Sequence, residues 1–265
     1  MSVSLFAAWS RIAKPVIGML HLPPLPGSPK FAGDAEAILP AVMRDARALA
    51  EGGVAGLMLE NFFDVPFYPR DVPTHVATWM TMIALEVRQK IGLPLGINVL
   101  RNDGCTAMAV AAAAGAQFIR VNVLCGARVA DQGILQGIAH DLLRLRTSLN
   151  CDIKIFADVD VKHSAALALR AIDEEVRDTI HRGLADAVIV SGAATGKPVE
   201  LAKLRAVKSA AGKTPVFLGS GVTARTIRGL ARHADGFIVG TSFKADNQVS
   251  NPVDLSRVKS LMRGL

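Results

Sequence analysis

Eight short runs of β-branched or aliphatic residues recur along the chain, each followed by a longer amphipathic stretch, and this alternation constrains the fold most. The runs lie at 15–20, 55–60, 95–100, 118–124, 153–159, 187–190, 216–218 and 237–239. They do not alternate with polar residues, as expected of strands buried on both faces of a parallel sheet. The stretches between them, 35–51, 74–91, 105–114, 134–148, 165–182, 200–211, 224–231 and 252–262, read as helices. Several of these end at glycine, as at Gly52-Gly53, Gly115 and Gly183, where a left-handed cap is needed, and Asp34, Thr74 and Thr223 read as N-caps. Eight units in 265 residues is about 33 residues each, the spacing of a closed (β/α)8 TIM barrel. A doubly wound open sheet would need more polar edge strands, and none of the eight runs is polar. No linker or composition shift interrupts the pattern, so 1–265 reads as one domain, with 1–13 as an N-terminal extension.

Composition agrees. Hydrophobic residues make up 51% of the chain and aromatics 5%, with a mean hydropathy of +0.34. That excludes a disordered chain, and eight aliphatic strands in one barrel account for the excess. The longest charge-free stretch, 104–119, falls roughly four residues short of the ~20 that a spanning helix needs. The first residues lack the order of a secretory signal, and the cysteines, Cys105, Cys125 and Cys151, are odd in number and scattered. A cytoplasmic protein with reduced thiols is expected. The net charge of +7 comes from basic residues spread over helical patterns, without a dense run or interleaved aromatics. Nucleic acid is therefore not an expected partner, whereas an anionic small molecule is. A homo-oligomer is compatible with the class, although nothing marks an interface.

Barrel enzymes build their sites from the loops after the strands. After the first run His21 precedes a stiff loop containing Pro23, Pro24, Pro26 and Pro29. After the second come Glu60 and Asn61, then Phe62, Phe63, Phe67 and Tyr68, which read either as a loop core or as a wall over a ligand. Asn98 ends the third run, and Arg120 and Asn122 share a face of the fourth. The fifth supplies the strongest signal: period two puts Lys154, Phe156, Asp158, Asp160 and Lys162 on one side. Charges on a strand buried on both faces are costly unless they serve the lumen or pair within it. Glycine-rich loops follow the last three runs, with Ser191 and Thr195 in the first, Gly219, Ser220 and Gly221 in the second, and Gly240, Thr241 and Ser242 in the third. Such loops let backbone N–H groups approach an anion, so the last two are expected to hold phosphate.

The stretches 14–29 (KPVIGMLHLPPLPGSP), 56–61 (GLMLEN), 118–123 (FIRVNV), 154–159 (KIFADV), 161–163 (VKH) and 191–196 (SGAATG) resemble the BtpA/SgcQ family. The resemblance covers essentially the whole chain. It implies a barrel akin to the ribulose-phosphate-binding superfamily. It leaves the reaction open, because the family takes its name from photosystem I biogenesis while other members resemble sugar-catabolism proteins or nucleosidases. From the residues, the expected activity is carboxylate acid/base chemistry on a phosphorylated sugar or nucleoside-like substrate. Asp158 and Glu60 are the expected catalytic pair, with Lys162 or His163 delivering a proton and His21 as a further catalytic candidate. Asn61, Asn98, Arg120, Asn122, Ser191 and Thr195 are expected to bind substrate. A Schiff-base aldolase is not the expected class, because no lysine ends the sixth or seventh run, Lys154 would lie deep and Lys197 sits out in a loop. Metal assistance by His21, Glu60 and Asp158 is an alternative resting only on residue types, and neither a metal site nor an organic cofactor is assigned. The other class is a non-enzymatic assembly factor for a membrane complex, docking through the proline-rich and aromatic loops.

Overall fold

In the computed structural model, which describes residues 5–192 and 199–265, eight parallel strands close into a barrel. The chain starts with a short helix, α1 (Leu5–Ala8), then β1 (Val16–His21), α2 (Ile38–Glu51), β2 (Gly56–Glu60), α3 (Thr74–Ile91), β3 (Leu95–Asn98) and α4 (Gly104–Ala114). It continues through β4 (Phe118–Val121), the short strands β5 (Ala127–Ala130) and β6 (Gly133–Gln136), then α5 (Ala139–Ser148) and β7 (Lys154–Val159). After β8 (Ser164–Ala166) and α6 (Ile172–Arg177) come β9 (Ala187–Val190), α7 (Leu201–Ala211), β10 (Val216–Leu218), α8 (Ile227–Leu230), β11 (Gly236–Val239) and α9 (Leu255–Met262). The barrel order is β1-β11-β10-β9-β7-β4-β3-β2, every pair parallel. This is the TIM-barrel topology expected from the eight alternations.

The strands sort their side chains into two cores. Outward residues such as Val16, Leu57, Ile97, Ile155, Val188 and Phe237 pack under the helices. Inward residues fill the lumen with Ile17, Met19, Met58, Phe118, Phe156, Ile189, Phe217 and Ile238. The Phe118 and Phe217 rings each lie 4.9 Å from that of Phe156. Gly96 makes room for this layer, since a Cβ there would come within 2.2 Å of the Phe118 ring. The N-terminal segment closes the floor. Trp9 packs on Phe118, Phe156 and Phe217, and its Nε1–H donates to the Ala55 carbonyl at 2.8 Å.

The departures from the predicted elements lie on either side of β7. The helix expected over 134–148 begins only at Ala139, because Gly133, at φ +96°, turns a hairpin that pairs β5 with β6. The helix expected from 165 begins at Ile172, because β8 pairs with β5 instead. Ala165 and Ala166 favour a helix locally, and sheet pairing overrides that preference. The three strands make a small antiparallel sheet, β6-β5-β8, beside the barrel mouth. At the caps, Gly53 and Gly115 take positive φ as expected, but Gly183 is right-handed and Leu184 takes φ +52° instead. Thr74 starts α3 without capping it, while Asp103 caps α4 by accepting from the Thr106 N–H. Among the described residues no helix is long and apolar enough to cross a membrane.

Candidate active site

Period two carries the inward face of each strand from apolar at the floor to polar at the mouth. On β1 Ile17 and Met19 lead to His21, on β2 Met58 leads to Glu60, and on β3 Gly96 leads to Asn98. The strand register aligns these last three in a row, His21 beside Glu60 and Glu60 beside Asn98. The Asn98 amide donates to Glu60 Oε2, and His21 Nε2 lies 3.9 Å from Oε1. On the next strands Phe118 leads to Arg120, and Phe156 to Asp158. Arg120 grips Asp158 through two hydrogen bonds, Nε to Oδ2 at 2.8 Å and Nη2 to Oδ1 at 2.9 Å. Asn122 Nδ2 donates to Oδ2 at 2.9 Å and the Ser191 hydroxyl to Oδ1 at 3.4 Å.

A narrow cleft opens over this polar layer. It brings together His21, Glu60, Arg120 and Lys162 with Gly219, Ser220, Gly221, Gly240, Thr241 and Ser242. Phe62 forms a wall, its ring centroid 4.5 Å from that of His21. Gly240 is needed here, because a Cβ would stand 2.8 Å from the His21 ring. The 3-10 turn Thr241–Phe243 begins at the cleft, and the first N–H groups of a helical turn lack intrahelical acceptors.

Electrostatics divide the polar groups. Burial holds His21 neutral, its pKa lowered to about 3, with Lys244, Lys162 and Arg120 adding repulsion. Burial likewise disfavours the Arg120 charge, but the Asp158 carboxylate outweighs it and raises the guanidinium pKa above its ordinary value. Burial and the Arg120 charge lower the Lys162 ammonium.

Several expected site residues stand outside the cleft lining. Asp158 lies behind Arg120, saturated by its four hydrogen bonds. Asn122 holds the same carboxylate and Asn98 holds Glu60. Asn61 clamps the loop after β3, accepting from the Leu100 N–H at 2.7 Å and donating to its carbonyl. The charged column of β7 does not continue along one face. Lys154 sits at its start with Asp152 at 2.5 Å and Asp186 at 4.0 Å. Asp160 has left the strand with φ +50° and pairs with Arg128 and Lys203. His163, at φ +57°, is exposed. Thr195 lies outside the described residues. Three residues at the mouth were not among the expected ones. Arg101 is buried and donates to the Lys162 carbonyl at 2.7 Å. Lys244 makes a buried ion pair with Asp45 at 2.6 Å, and Arg128 anchors the small sheet. Arg101 and Lys244 lie in the loops after β3 and β11, so loop position was the available signal, whereas Arg128 lies in a strand that the apolar pattern does not show.

Related proteins complete the picture. An uncharacterized protein of Thermococcus kodakarensis is 49% identical over 249 residues, covering 94% of each chain. The photosystem I biogenesis protein BtpA of Synechocystis is 45% identical over 251 residues, covering 95% of this chain and 88% of its own. Among solved structures, N-(5'-phosphoribosyl)anthranilate isomerase of Pyrococcus furiosus superposes with a TM-score of 0.58 over 95% of this chain and 98% of its own, at 11% identity. At that identity the likeness establishes the fold alone, a (β/α)8 barrel. Residues 12–265 match the profile of the BtpA family, and with relatives this similar over nearly its whole length the chain belongs to that family.

Proposed function

We propose that the protein is an enzyme acting on a phosphorylated sugar or nucleoside-like substrate. The carrying observation is the convergence, in one cleft, of the glycine-rich loops after β10 and β11 with Glu60, His21, Arg120 and Lys162. The loops hold the phosphate through Gly219, Ser220, Gly221, Gly240, Thr241 and Ser242, where barrels of this class frequently bind it. Glu60 serves as the acid/base, since it faces the cleft and Asn98 fixes its orientation. Asp158 acts as a positioning residue: it anchors Arg120, whose guanidinium faces developing negative charge. His21, kept neutral, is a hydrogen-bonding partner for Glu60 or substrate rather than a cation. Thermal shift with inorganic phosphate and pentose phosphates tests the reading. Stabilisation at millimolar ligand is expected, and none at all would overturn it. Once a substrate turns over, Glu60→Gln is expected to lower kcat by about 10²–10⁴-fold.

The 45% identity to the Synechocystis biogenesis protein supports a second reading, a non-enzymatic factor for a membrane complex. A salt-sensitive membrane fraction on co-sedimentation with anionic vesicles favours it, and full solubility at low salt opposes it.

A further inference from the structure

Lys162 follows β7 by three residues and lines the cleft with Glu60, Arg120 and Ser220. The other cations at the mouth are committed: Arg120 to Asp158, Arg101 to the Lys162 carbonyl, and Lys244 to Asp45. Lys162 Nζ makes no ion pair or hydrogen bond with a described residue. The side chain is half-buried, and Arg120 and Arg101 stand near enough to repel an ammonium there. Burial, then Arg120 and Arg101, lower its pKa, while Glu60 and Asp158 oppose the shift. The titratable His21 stands across the cleft and His163 is the next residue, and both are themselves held toward the neutral form by burial and by the Lys162 charge. Lysines desolvated beside other cations are the ones that become nucleophiles at neutral pH.

We propose that Lys162 is a nucleophile that forms an imine with the carbonyl of an open-chain aldose or ketose phosphate bound in the cleft. This rests on the phosphate reading above and narrows its substrate to carbonyl compounds. The neutral Nζ attacks the carbonyl carbon, the π pair moves to oxygen, and that oxygen takes a proton from solvent water at the cleft mouth. The nitrogen gives up a proton to Glu60, which returns it to the hydroxyl, and the C–O bond breaks with loss of water as the C=N bond forms. No oxidant or reductant is consumed. The protonated imine then accepts the electron pair released when a proton or carbon fragment leaves the neighbouring carbon.

Borohydride trapping on the full chain tests this. The probes are glyceraldehyde 3-phosphate and dihydroxyacetone phosphate, with unphosphorylated glyceraldehyde for comparison. Hydride reduces the imine to a stable secondary amine, so the chain should gain the mass of the sugar phosphate less one oxygen. Peptide mapping should place that gain on Lys162, excess inorganic phosphate should suppress it, and Lys162→Arg should abolish it. Mapping on the unmodified sequence stands even if the variant folds poorly. No adduct, or an adduct at another lysine, overturns the imine, and a melting temperature still raised by phosphate then leaves the phosphate reading intact. Equal labelling by glyceraldehyde, without protection by phosphate, supports the imine and overturns the phosphate reading.

Discussion

At the scale of single residues, the Arg120–Asp158 pair and His21 make the firmest predictions. Both members of the pair are buried, with Arg120 only 3% exposed. Removing one partner leaves an uncompensated charge, so Asp158→Ala is expected to cost about 3–5 kcal/mol in urea unfolding. Replacing both, as Arg120→Met with Asp158→Leu, should cost less than that single change, because no charge is left stranded. His21 sets a pH dependence. Its pKa is lowered from 6.5 to about 3 in the folded chain, so between those values the unfolded chain binds more protons. Stability should therefore rise with pH across that window, by up to about 1.4 kcal/mol per pH unit from this group. Thermal melts from pH 4 to 8 should show a flatter profile for His21→Asn, and an unchanged slope would contradict the assignment. These residues were legible as polar interruptions of apolar strands. Which of them faces ligand was not: Asp158 and Glu60 look alike in sequence, and only the side chains around them separate a saturated carboxylate from one that lines the cleft.

At the scale of elements, the eight barrel strands followed from apolar runs because burial on both faces leaves a contiguous signature. The small sheet left none. Its strands have one wet face, with Val129 and Ile134 exposed, and β5 and β8 carry as much alanine as a helix. Only Gly133 after Asp131-Gln132 marks the turn. The sheet is tied to the barrel through Arg128, whose guanidinium reaches Asp160, Ser164 Oγ at 2.7 Å and Glu175 at 3.5 Å. Arg128→Met should therefore loosen it without unfolding the barrel. Hydrogen exchange is expected to accelerate over 127–136 and 164–166 while the β1 and β2 amides keep their protection. Uniform acceleration across all strands would show that the sheet and the barrel open as one unit.

For the whole molecule, the charge balance becomes a statement about rates. The net charge of +7 is carried mostly on helix faces, while at the mouth Arg120 and Lys244 are each paired with an aspartate, so attraction for an anion comes from the molecule as a whole. Association of an anionic ligand should slow several-fold, ~10-fold at most, as ionic strength rises from about 0.01 to 0.15 M. Stopped-flow titration with a sugar phosphate measures this, and a salt-independent rate would assign the charge to solubility alone. The sequence also made the barrel visible as a whole, through repetition rather than through any one segment. The 1–13 extension was the exception, since one tryptophan and a few apolar residues do not announce that they close the floor.

That floor orders events in time. Trp9 leaves the ribosome well ahead of its seat, which is built from Phe118, Phe156 and Phe217. The segment that carries it cannot dock fully until β10 has been synthesised, so the nascent chain carries an undocked tryptophan until that strand arrives. The only other tryptophan is Trp79, on α3. In Trp79→Phe, the remaining indole becomes an intrinsic clock for barrel closure, silent through the early steps and changing its emission only when its seat of three phenylalanines is complete.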